Sequence, residues 1–248
     1  MNNTSLLIFV AGLLAGTMNS VAGGGSFVTL PTLIFTGMPS IAANATSTVA
    51  LFPGSLAGAW AYRTECTYFK AAPLKTMMIL SLIGGLLGAI LLQYTPTRLF
   101  DKAIPWLLAT GTVAFALGPH LGRLLNRTAQ QHPLLILSAQ IILGIYGGYF
   151  GGAVGIMMMA VWSLFGVNDI KAMNAFKTLL VGVTNSSAVL WFAIVGLVWW
   201  SQALTMLAGA VIGGYYGARF ARRLNPTYLR RVINVFNIAI TICFFLKH

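Results

Sequence analysis

The sequence predicts an all-α, polytopic membrane protein of two inverted repeats. Each repeat has about five apolar segments and carries a broken or re-entrant helix pair. Three observations lead there. Of 248 residues, 58% are hydrophobic and only 7% charged, whereas a soluble domain needs about 25% charged residues to face water. Apolar runs of helical length recur along the whole chain. Glycine clusters then interrupt two of those runs at corresponding places, at Gly23, Gly24 and Gly25 and again at Gly151, Gly152 and Gly155.

Taken in order, residues 6–22 form a first apolar helix. It lacks the basic start of a signal peptide, because Asn2, Asn3 and Thr4 are uncharged, so it reads as a mature membrane helix. Residues 26–35 follow the glycines and are too short to cross: ten residues rise roughly 15 Å against a hydrocarbon core of about 30 Å. Residues 46–62 make the next helix, with Pro53 inside it, and 77–94 an ordinary span whose Gly84, Gly85 and Gly88 suit close helix packing. Arg98, Asp101 and Lys102 read as a short loop before a helix at 104–117, with Pro105 in its first turn. Residues 121–132 are the most polar stretch and the expected cytoplasmic linker between a first repeat at 1–120 and a second at 133–248. The second repeat offers apolar segments at 134–150, 156–165, 172–199, 203–216 and 229–246.

Displacing the chain by 132 residues places Gly12 on Gly144, Gly16 on Gly148 and Gly23 on Gly155. After a two-residue shift, Asn44 and Thr48 fall on Asn174 and Thr178. Matching residues in matching order indicate duplication. Five segments per half put the second half in the opposite orientation, and the charges test this. One face then receives Arg63, Lys70, Lys75, Arg123, Arg127, Lys171, Lys177, Arg219, Arg222, Arg223, Arg230 and Arg231. The other receives Arg98, Lys102 and Lys247. Twelve against three is the expected cytoplasmic bias, with both termini outside and Trp199 and Trp200 at the outer interface. Counting each broken pair as one crossing weakens the split to nine against six.

The same charges account for the net charge of +12 without nucleic acid, since the bases flank apolar runs. Cys66 and Cys243 lie far apart, and His120, His132 and His248 form no ligand pattern, so neither a metal nor a cofactor is expected. An intramembrane enzyme would need a catalytic group at depth, and only Cys243 is offered there; no catalytic residue is assigned. What remains is transport. Short, glycine-interrupted helices at corresponding positions of two halves mark a midplane binding site, and irregular backbone at that depth must line a cavity or be buried in protein. Helix N-termini exposed there suit an anion. The candidate substrate-binding residues are Asn19, Gly23, Gly24, Gly25, Ser26, Asn44, Thr46, Ser47 and Thr48 in the first half. In the second half they are Gly155, Asn174, Lys177, Thr178 and Asn185. Interhelical hydrogen bonding is the competing use for such Ser, Thr and Asn residues, and Lys177 has the choice between an anion and snorkelling to the cytoplasmic interface. No acid lies within an apolar segment, the three being Glu65, Asp101 and Asp169, which disfavours a carboxylate relay. The expected partners are a small anionic substrate, the bilayer and a coupling ion, proton or sodium. A passive anion channel of the same architecture is the alternative.

Residues 11–48, AGLLAGTMNSVAGGGSFVTLPTLIFTGMPSIAANATST, resemble the N-terminal signature of the TauE/SafE family of sulfite-exporter-like transporters. Residues 144–188, GIYGGYFGGAVGIMMMAVWSLFGVNDIKAMNAFKTLLVGVTNSSA, resemble its repeated unit. The resemblance implies a multi-pass transporter of the prokaryotic plasma membrane for small, often sulfur-containing anions such as sulfite, sulfonates or organic acids. It maps the family's glycine-rich break onto Gly23, Gly24 and Gly25 and its polar helix start onto Asn44, Thr46 and Ser47. In the second half the matches are Gly155, Asn174, Lys177 and Asn185. Ser26 stands where the family often has a fourth glycine.

Overall fold

A computed structural model describes residues 3–21, 24–61, 73–125, 133–164, 170–221 and 226–247. These form ten helices and no strands: α1 (Asn3–Val21), α2 (Ser26–Phe35), α3 (Ser40–Ala61), α4 (Leu74–Tyr94), α5 (Thr97–Leu125), α6 (Pro133–Tyr149), α7 (Val154–Leu164), α8 (Ile170–Ile194), α9 (Trp200–Ala221) and α10 (Pro226–Lys247). Two of them, α4 and the 175–194 part of α8, are long and apolar enough to cross a bilayer by length and composition.

Helix α4 shows which solvent the fold is built for. Its inward face is Met77, Ser81, Gly84, Gly85, Gly88, Ala89 and Leu92, and its outward face is Ile79, Leu82, Ile83, Leu86, Leu87 and Leu91. A helix of a soluble protein reverses this order, with polar residues outside. Large side chains facing lipid and small ones facing protein are what association without a hydrophobic driving force requires.

Small residues set the helix spacing. Helix α1 lies along α9 and α4 lies along α6. A Cβ at Gly16 would collide with the carbonyl oxygen of Ala210, and one at Gly213 with that of Leu13; Thr17 seals this pair by donating to the Gly213 carbonyl at 3.0 Å. In the other pair a Cβ at Gly88 would strike the Ile145 carbonyl, and one at Gly148 the Gly85 carbonyl. The packing role expected for the α4 glycines is thus met. Further contacts join α3 to α8 and α9, α4 to α8, α5 to α7 and α10, and α10 to α2.

The helix boundaries depart from the sequence expectation in ways that matter for the site. Helix α3 begins at Ser40 rather than near 46, with Ala43 N–H already bonded to the Pro39 carbonyl at 2.8 Å. Asn44 therefore lies inside the helix, within a run from Ile41 to Thr48 that is buried throughout. Arg98, Asp101 and Lys102 are not a loop. They occupy the first turns of α5, which starts off the Pro96 carbonyl and is anchored by the fully buried Phe100. Pro105 consequently sits in the helix interior. Helix α8 ends at Ile194, five residues short of expectation, because Gly196 at φ +72° turns the chain and Leu197 N–H returns to the Phe192 carbonyl. Helix α7 starts at Val154, which makes Gly155 a helical residue rather than part of the break.

Candidate functional site

Helices α2 and α7, of ten and eleven residues, rise roughly 15–17 Å and cannot cross alone. Their first turns mark two chain breaks. At the first break Gly24 has φ +94°, a conformation that a side chain resists. A Cβ there would meet only Phe27 at 3.6 Å, so the glycine is required by backbone conformation rather than by lack of space. Gly25 caps α2, and its N–H donates to Asn19 Oδ1 at 2.8 Å. Asn19, at the end of α1, thereby satisfies one donor that a helix start leaves open. Ser26 is the first helical residue and is half-buried. One turn on, the buried Thr29 hydroxyl pairs with Ser47 of α3 and donates to the Gly25 carbonyl at 3.3 Å. Gly23 lies outside the described residues.

The second break is approached from the other half of the chain. Asn44 Nδ2 donates to the Tyr149 carbonyl, the last of α6, at 2.9 Å. Thr48, one turn further along α3, donates to the Asn44 carbonyl at 2.9 Å, and its oxygen lies 3.6 Å from where a Cβ on Gly151 would stand. Gly151 has φ +77° and Ala153 φ +58°; the alanine is held there although its side chain disfavours it, a cost of about 1–2 kcal/mol. Ala153 then opens α7, accepting from Ile156 at 2.9 Å and Met157 at 3.1 Å.

Lys177 lies directly over that first turn. A Cβ on Gly155 would come within 2.8 Å of Lys177 Cγ and 3.0 Å of Cδ, with Val181 at 3.2 Å. The lysine stem therefore crosses α7 where only a glycine leaves room, two residues into the helix. Lys177, Val181, Thr184 and Asn185 recur at helical spacing on one side of α8. The Thr184 hydroxyl and Asn185 Oδ1 are buried and have no hydrogen-bond partner among the described residues. Thr184 also packs its methyl group against the bare face of Gly147 on α6.

Not every candidate joins this centre. Thr46 accepts the Trp199 N–H at 3.1 Å and so ties α3 to the loop before α9. Thr178 is partly buried on α8, next to Lys177 but turned by one residue from it. The side chain of Asn174 lies outside the described residues. Sequence reasoning missed Thr29 and Thr184. Thr29 could have been found as the hydroxyl one turn after Gly25; Thr184 had a neighbouring signal in Asn185, which was selected.

The model of the sulfite exporter TauE/SafE family matches residues 8–244. The chain belongs to that family. Among similar curated proteins is a probable membrane transporter of Haemophilus influenzae, 27% identical over 239 residues, covering 95% of this chain and 92% of that one. Another, ORF9 of a Sinorhizobium species, is 29% identical over 238 residues, covering 95% and 90%. The probable membrane transporter YfcA of Escherichia coli K12 is 31% identical over 230 residues, covering 92% and 84%. No solved structure matches. TauE/SafE members are membrane transporters, not enzymes, and the two glycine breaks that first marked this chain lie within the family match.

Proposed function

We propose that the protein is a secondary transporter for a small, sulfur-containing anion, a sulfite, sulfonate or organic-acid type, bound near the midplane between the two breaks. One observation carries the reading: Lys177 lies across the first turn of α7, beside a helix N-terminus whose dipole also favours negative charge. A cation in an apolar segment needs a partner, and no acid stands in any apolar segment to serve as one. The anion supplies that charge. Asn44 and Thr48 stand at the end of α6 that leads into this break.

The inverted repeat belongs to this proposal. Advancing each helix number by five turns the α1–α9 pairing into α6–α4 and the α3–α9 pairing into α8–α4, leaves α3–α8 and α5–α10 unchanged, and exchanges α5–α7 with α10–α2. That exchange supports two copies of one unit. The bond from Trp199 to Thr46 ties the loop between α8 and α9 to α3. Together with the charge bias, this supports a multi-pass plasma-membrane protein with both termini outside. A cysteine at Gln202 should then label from outside and one at Gln130 only from inside; the opposite pattern would reverse the orientation.

Purified protein in proteoliposomes should accumulate radiolabelled sulfite, or a small sulfonate, against its gradient when a proton or sodium gradient is imposed. Strictly downhill flux would make the protein a passive anion channel instead. A thermal-shift series with sulfite, sulfate, thiosulfate and small sulfonates should single out the substrate class, because binding to the folded state raises its stability.

A further inference from the structure

Both breaks touch the same residue of a third helix. Gly111 of α5 is buried, and from where its Cβ would stand Phe27 Cζ lies at 2.8 Å and Ala153 Cβ at 3.1 Å. Phe27, fully buried in the first turn of α2, also lies 3.6 Å from where a Cβ on Gly24 would stand. Ala153 is the residue that opens α7. A ring from the first break and a methyl group from the second are thus seated on one bare stretch of α5. One turn earlier on α5, the Leu107 carbonyl accepts the Tyr146 hydroxyl of α6 at 3.1 Å. The start of α7 therefore has α5 against Ala153 and the Lys177 stem of α8 against Gly155.

Two observations mark this seat as a contact that opens. Ala153 holds φ +58°, and strained residues persist only where their surroundings hold them, typically in switch regions. Part of those surroundings is α5, so its withdrawal gives the residue room to relax, as a two-state element requires. The counterpart contact differs. Advancing helix numbers by five turns α5–α7 into α10–α2, yet α5 packs along α7 whereas α10 touches α2 only lightly among the described residues. Helix α10 also carries Asn237, fully buried with neither amide atom paired among the described residues, which is costly in this conformation. One contact is shut and its counterpart is loose.

We propose that the seat of Phe27 and Ala153 on Gly111 is a gate that parts in each transport cycle, α5 lifting from both breaks together. The inference rests on the anion-transport reading for its role: an anion held at the α7 start must be released when a helix covering that start withdraws.

The test uses full-length protein in proteoliposomes with Cys66 and Cys243, its only two cysteines, replaced by serine. Ala153→Cys should react with N-ethylmaleimide, while Ala89→Cys, at a fully buried site on α4, should stay unmodified. Gly111→Cys combined with Ala153→Cys should form a disulfide on mild oxidation, since a small outward shift brings the two Cβ atoms to the about 3.5–4.5 Å that a disulfide spans. The bridged protein, confirmed by mass spectrometry, should lose uptake of radiolabelled methanesulfonate, keep its Tm response to that anion, and regain uptake on reduction. A sulfonate is used because sulfite itself cleaves disulfides. Uptake by the bridged protein at the rate of the reduced one would overturn the gate. So would an Ala153→Cys variant as unreactive as Ala89→Cys, a measurement that needs neither the disulfide nor a transported anion. A wild type that takes up neither methanesulfonate nor sulfite while Ala153→Cys still reacts would fail the anion reading alone and leave the moving contact standing.

Discussion

The two breaks solve the same backbone problem with different side chains. At the first, Asn19 takes the Gly25 N–H and Thr29 pairs with Ser47, so a neutral network closes the turn on itself. At the second, the α6 end is met by Asn44 from the other half, and the first turn of α7 is crossed by Lys177. By the alignment that puts Asn44 on Asn174, Ser47 and Lys177 occupy the same position of the repeat. One half of the chain carries a hydroxyl there and the other a charge. On the proposed duplication, divergence at this one helix position separates a structural turn from a charged one.

Several substitutions would break or sharpen that contrast. Lys177→Met should have the largest effect. A hydrogen bond to a charged group contributes about 1.5–3 kcal/mol, so anion affinity, read by isothermal titration or by concentration-dependent uptake, should fall roughly 10- to 100-fold. Gly155→Leu comes next. Its side chain would displace the lysine stem, and affinity should drop about tenfold while circular dichroism remains helical; unchanged affinity would separate the lysine from the α7 start.

At the first break the expected losses are in stability, not in anion binding. Asn19→Ala removes the bond to Gly25 and should cost about 1 kcal/mol, seen as a Tm lower by roughly 2–4 °C. Ser47→Ala should have the smallest effect, at most about 1 kcal/mol, because Thr29 keeps its bond to the Gly25 carbonyl. If Ser47→Ala reduced uptake as severely as Lys177→Met, the division between a neutral turn and a charged one would fail.

Much of this architecture was legible in the chain itself. The apolar runs, the two short helices after glycines, and the packing role of Gly84, Gly85 and Gly88 came from composition and spacing; the family came from the resemblance of residues 11–48 and 144–188 to its signature. Those features are local: a glycine cluster weakens a helix wherever it occurs, and an outward row of Ile and Leu on α4 follows from helical period. Boundaries set by distant partners were not legible. Pro96 starts α5 ahead of the charged residues because burying Phe100 outweighs their polarity.

Which polar residues face one another is a further step from the sequence. Asn44, Thr46, Ser47 and Thr48 look alike as a cluster, yet one reaches Tyr149, one Trp199, one Thr29 and one its own helix near Gly151. Consecutive helical residues point about 100° apart, so neighbours in sequence are divided among different helices. Residues far apart in sequence, such as Gly155 and Lys177 or Thr112 and Thr241, become neighbours only through packing. The sequence by itself determined a helical membrane protein of this transporter family, with two glycine breaks. Only the tertiary structure decided which break carries the charge, because that depends on which helix lies across each first turn.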